Sequence, residues 1–169
     1  FSEYKKFIEQ NEDYPRINRI RYLAEEKIYL RNNSPTSVIN WFEKYPPLGG
    51  LGKIKLAEAY LEQGKTVKVK ELIKDGWITA TIRKNDLGYY RAKFKKFIDS
   101  DDHIKRADYL AWEKKYWDLK RMLKYLPSDQ RALYNARQIL MSNSYGVDNA
   151  IAKVPQYLKK DPGLEFDRL

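Results

Sequence analysis

Residues 56–64 read Leu-Ala-Glu-Ala-Tyr-Leu-Glu-Gln-Gly, and this stretch decides the fold class. Small side chains at Ala57 and Ala59 suit the close crossing of two helices. Gly64, after Leu61-Glu62-Gln63, suits the left-handed position that closes a helix. The same helical spacing continues on both sides. Upstream, Ile17, Ile20, Ala24 and Ile28 recur every three or four residues. Downstream come Leu87, Tyr90, Phe94 and Phe97, then Ile104, Ala107 and Ala111. Leu119, Met122, Leu123 and Leu126 follow, then Leu133, Ala136 and Leu140. Each series lays one apolar stripe on a helix face. No stretch alternates with period two, so a sheet is not expected.

Breaks between stripes have mechanical causes. Asp13-Tyr14-Pro15 and Ser34-Pro35 fit helix starts, because proline's missing N–H costs nothing in a first turn. Thr66, Asp86 and Ser128 are candidates to accept hydrogen bonds from free first-turn amides. Pro46-Pro47 followed by Gly49-Gly50 breaks the chain between two helices. The expectation is about ten short helices of ordinary length. Stacked as antiparallel hairpins, they make an all-α solenoid treated as one domain over residues 1–169.

Composition agrees. Gly (8) and Pro (7) are few in 169 residues, which argues against sandwiches, barrels and disordered linkers. Without cysteine there is no disulfide, thiolate zinc site or thiol nucleophile, and a single histidine, His103, excludes imidazole-rich metal sites. No apolar run approaches the roughly 20 residues that span a bilayer. Mean hydropathy is −0.76, so the surface is strongly polar. A net charge of +10 favours anionic partners: nucleic acid, an anionic membrane surface or an anionic cell-wall polymer. Lys and Arg are nevertheless spread along the chain, without the block that marks a nucleic-acid tail. No signal peptide is visible. The start at Phe1 without Met, and a helix-like opening at Glu165–Leu169, lead us to expect a piece of a longer chain.

Residues 56–64 also resemble half of a tetratricopeptide repeat, although no strict repeat of about 34 residues is present. A wider resemblance rests on three ordered segments. The first runs from Phe7-Ile8 and Tyr14-Pro15 through Ala24-Glu25-Glu26, Val38-Ile39-Asn40-Trp41-Phe42 and Pro46-Pro47 to Gly52-Lys53 and Leu56-Ala57-Glu58-Ala59. The second is Asp102-His103, Arg106, Asp108, Leu110 and Trp112. The third is Gly146-Val147-Asp148-Asn149-Ala150 with Val154-Pro155, then Asp161-Pro162-Gly163-Leu164 to Phe166-Asp167-Arg168-Leu169. In this order they resemble the superhelical domain of soluble lytic murein transglycosylases, alphaproteobacterial type. The resemblance implies a periplasmic scaffold that contacts peptidoglycan glycan strands and holds a separate, C-terminal lysozyme-like catalytic domain. It implies no cofactor and no metal. That family's catalytic glutamate lies in a Glu-Ser pair, and this sequence contains none, so no catalytic residue is carried over.

Glycan cleavage needs a protonated carboxyl beside the scissile bond. Glu25-Glu26 and Asp101-Asp102 are adjacent pairs whose members point apart on a helix, so structural roles are expected. Capping suits Asp101-Asp102 best. His103 beside them is read as structural, and Arg106 and Asp108 as parts of a polar network between helices. Trp41 and Trp112 are expected in the core, whereas Trp77 and Trp117, nearer helix ends, are the better surface candidates and the candidate glycan contacts, with packing still the favoured reading of both. Trp41, Pro46, Asp102, His103, Arg106, Asp108 and Trp112 thus stand as signature residues with structural roles. Two other functions remain: a tetratricopeptide-like adaptor for protein partners, and, ranked last because only charge supports it, a nucleic-acid binder.

Overall fold

The computed structural model describes residues 1–142 and 145–169. Among them are eleven α-helices and no strand, so the chain is all-α. Contacts group these helices into two compact units, Phe1–Thr81 and Ile82–Leu169.

The first unit contains α1 (Ser2–Gln10), α2 (Ile17–Glu25), α3 (Pro35–Lys44), α4 (Gly50–Glu62) and α5 (Thr66–Thr79). Helix α3 starts as its sequence predicts. Ser34 Oγ accepts from the Ser37 amide at 3.2 Å, and Pro35 occupies the first helical position. Its apolar face, with Val38, Ile39, Trp41 and Phe42, joins Ile8, Ala24 and Ile28 in one core. The Trp41 ring meets Phe1 edge-on at 5.3 Å and Tyr45 at 4.4 Å. Helices α4 and α5 pack along their lengths, and Gly50 at the start of α4 lies against Thr79 and Ala80 at the end of α5.

Residues 56–64 form the second half of α4 and its exit turn. Gly64 adopts φ +70°, the left-handed conformation that glycine reaches without steric cost. The Gly64 amide donates to the Leu61 carbonyl at 3.0 Å, and the Lys65 amide to the Tyr60 carbonyl at 2.9 Å. Paired bonds of this kind close a Schellman turn. Thr66 does not cap α5, because its own amide is taken by the Gly64 carbonyl at 3.0 Å and it already lies inside the helix.

The second unit contains α6 (Lys84–Lys93), α7 (Ser100–Trp112), α8 (Tyr116–Met122), α9 (Ser128–Leu140), α10 (Val147–Ala152) and α11 (Pro162–Asp167). A short 3-10 turn, Leu123–Tyr125, extends α8. Helix α7 begins at Ser100, and its cap is Asp99 rather than Asp101. Asp99 accepts from the Asp102 amide at 3.0 Å, and Asp102 accepts from the Asp99 amide at 3.0 Å. This reciprocal pair is a capping box closed by two acids. Asp86 and Ser128 lie within the first turns of α6 and α9 and cap neither. The Glu165–Leu169 stretch is not the opening of a helix: α11 begins at Pro162, with Asp161 capping the Leu164 amide at 2.9 Å.

The turn from α7 to α8 repeats the one from α4 to α5. The Lys114 amide donates to Ala111 at 3.1 Å, and the Lys115 amide to Leu110 at 2.9 Å. Here the left-handed position, φ +54°, is held by Lys114 rather than glycine.

Candidate functional site

The structure corrects the sequence reading at two of the four tryptophans. Trp77, a candidate glycan contact for which packing is the favoured reading, is fully buried. It continues the α5 stripe of Val69 and Ile73 at intervals of four, a series that the sequence reading passed over. It therefore offers no face to a glycan. Trp112, expected in the core, is 44% exposed, because one step beyond Ala111 rotates it off the buried stripe. Trp41 is buried, and Trp117 is exposed.

The carboxylates that glycan chemistry would use are engaged by the fold. Glu25, at the end of α2, is buried and accepts from the Leu48 amide at 2.5 Å and the Gly49 amide at 3.2 Å. Burial pushes its pKa up, against the lowering pull of the Leu48, Gly49 and Gly52 amides and of Arg21. A buried acid with a raised pKa suits a general acid. Glu25 instead seats the first turn of α4, where unpaired amides and the helix dipole favour an anion. A Cβ on Gly52 would sit 2.5 Å from its carboxylate, so glycine is what lets the acid in. Nearby, Arg21 Nη2 donates to the Pro46 carbonyl at 2.9 Å, fixing the loop that carries these amides.

In the second unit, Arg106 and Asp108 both take part in polar structure. Arg106 is buried in α7, and burial pulls its pKa down to about 10, with Asp118 opposing. Asp108 instead meets Arg137 of α9, whose guanidinium is wholly buried. Arg137 Nη1 donates to Asp108 at 2.8 Å and Nε to Asp167 at 2.7 Å, with Asp161 at 4.0 Å. The same guanidinium lies 5.0 Å from the Trp112 ring centroid and 5.7 Å from that of Tyr134. Lys114 pairs with the other Asp167 oxygen. A Cβ on Gly163 would collide with the guanidinium. One buried cation thereby ties α7, α9 and α11. Arg137 was missed in the sequence, although it follows Leu133 and Ala136 on an apolar stripe, and a charge in such a place is the signal.

His103 is buried beside the capping box, with the Tyr125 ring at 6.1 Å. Burial and then Arg91 lower its pKa, while Asp102 and Asp99 act the other way. The neutral ring is the favoured form, which suits packing. The described surface also carries two open grooves. One, of 440 Å³, lies between α1 and α3 among Lys5, Glu9, Thr36, Asn40 and Lys44. The other, of 260 Å³, is lined by Ser128, Arg131, Asn135 and Lys153. Neither is lined by Glu25, Asp102 or Asp108, so the engaged acids and the open grooves are separate features. Among the described residues, no three metal-ligating side chains come together, and no helix is long and apolar enough to cross a membrane.

No protein-family model matches this chain, and no curated protein or solved structure is significantly similar to it.

Proposed function

We propose that this chain is a non-catalytic scaffold of a peptidoglycan lytic transglycosylase: a periplasmic α-superhelix of stacked hairpins that positions a C-terminal catalytic domain and contacts murein glycan strands. One observation carries the reading. Two parts of the first resembling segment meet in one buried charged node, and the second and third segments, far apart in sequence, meet in another. Glu25 and Gly52 make contact in one. Asp108, Trp112, Asp161, Gly163 and Asp167 surround Arg137 in the other. Residues used in this way hold helices in register, which is the work of a frame. Charge supports the partner, since +10 attracts the carboxylates of peptidoglycan stem peptides.

Affinity separates this reading from the adaptor alternative. The purified chain is expected to co-sediment with protein-free sacculi and to be released by added salt, as an electrostatic contact requires. An adaptor would stay in the supernatant until a protein partner was supplied, and that result would reject the scaffold reading.

A further inference from the structure

The outer face of α8 combines exposed rings and cations. Trp117, Lys120 and Lys124 stand at i, i+3 and i+7, on one face as α8 runs into its 3-10 extension. Trp117 is 64% exposed, yet Tyr116 meets it edge-on at 5.0 Å, which restrains the ring while leaving it wet. Lys120 Nζ lies 5.3 Å from its centroid. Farther along, the Tyr125 ring has the Arg91 guanidinium at 4.3 Å and Lys124 Nζ at 4.9 Å. Arg91 comes from α6, so the strip draws on two elements of one unit. Among the described residues, none of these three cations has an ion-pair partner, whereas Asp118 of α8 is paired with Arg121 at 2.5 Å. The positive charge of the strip therefore faces solvent uncompensated.

Building on the cell-wall reading above, we infer that this strip binds an anionic glycan: a pyranose face stacks on Trp117 while carboxylates carried on side branches reach Lys120, Lys124 and Arg91. The charge spacing favours this ligand over a nucleic-acid strand. A strand with a phosphate at every nucleotide calls for a continuous basic track. Here three cations are separated by rings and flanked by an acid. A glycan with apolar sugar faces and intermittent carboxylates matches that alternation. Aromatic rings with one dry and one wet side are also the groups that binding surfaces favour.

The test uses the complete chain, protein-free sacculi and soluble muropeptides. W117A/K120A/K124A is expected to lose about tenfold in affinity, the equivalent of two exposed cation–ring sites. W117F should fall between it and the unaltered chain, and R91A should weaken binding less than the triple change. All four positions are surface positions, so thermal unfolding by circular dichroism should be unchanged and a folding defect is separable from a binding defect. Binding by the unaltered chain that survives the triple change overturns this inference alone. No binding by the unaltered chain overturns both this inference and the reading it builds on. Tighter binding of a single-stranded oligonucleotide than of muropeptides, lost in the same variant, would reassign the strip to nucleic acid.

Discussion

The two units bury opposite charges for the same mechanical purpose. In the first, an anion, Glu25, is held by backbone amides at the start of α4. In the second, a cation, Arg137, is held by carboxylates from α7 and α11. Both charges pass a glycine, Gly52 or Gly163, whose missing side chain makes the approach fit. The partners differ, and that difference has energetic consequences. Amides at a helix start are fixed by the helix itself, so removing Glu25 leaves dipoles that water can solvate. The Asp167 side chain is 1% exposed, so removing Arg137 leaves one oxygen of a buried carboxylate without its partner and only Lys114 to balance the charge.

The largest expected effect follows from this asymmetry. Arg137→Ala should cost about 3–5 kcal/mol, the range for breaking a buried ion pair by removing one partner. Glu25→Ala should cost less, about 1.5–3 kcal/mol, the range for losing hydrogen bonds to a charged group whose donors water can then reach. Urea denaturation of the two variants measures both, and equal losses would remove the asymmetry. The glycines come next. Gly163→Ala and Gly52→Ala should each cost about 1–3 kcal/mol through overpacking. Gly163→Ala should be the more damaging, because the guanidinium it displaces is held from several sides.

The pH response should separate the units further. Glu25 has a raised pKa in the fold, so its contribution is complete below the ordinary carboxylate range and is lost as pH rises through its raised value. His103 has a lowered pKa, so its contribution is complete above about 6.5 and is lost as pH falls toward the folded value. Acidification from neutral therefore favours the first unit's buried acid and disfavours the second unit's buried imidazole. Glu25→Gln and His103→Gln should each remove one limb of the stability profile measured by chemical denaturation across pH 4–8. An unaltered profile in either variant would assign that limb to other groups.

The smallest effect concerns the two matching turns. Gly64→Ala should cost about 1 kcal/mol, since alanine pays for a left-handed φ. Lys114→Gly relieves the same strain but gives up the Asp167 ion pair and the nearby Phe166 ring, so its net change in melting temperature should be close to zero. A large loss in Lys114→Gly would show that the ion pair outweighs the backbone.

The helices were readable because their stripes are local: 3.6-residue spacing, Ser34-Pro35 and Gly64 each carry their own physical reason. Trp77 stood as a surface candidate because the α5 stripe of Val69, Ile73 and Trp77 is interleaved with lysines. Trp112 was misplaced because one residue of helical rotation separates a buried from an exposed position. The nodes were only half visible. Asp108 stands in one resembling segment and Asp161, Gly163 and Asp167 in another, yet nothing local shows that one arginine gathers them. Non-local charge pairing leaves only a weak trace in sequence: a charged residue on an otherwise apolar stripe, as at Arg137. The exposed station at Trp117 was legible, whereas its partner Arg91 was not, since it arrives from another helix.

The proposed frame would grip murein without cutting it. Incubation of the purified chain with protein-free sacculi, followed by sedimentation and chromatography of the supernatant, measures both halves at once. Chain in the pellet and no soluble muropeptides is the expected result; release of products ending in 1,6-anhydromuramic acid, or a chain that stays wholly in solution, would overturn the proposal.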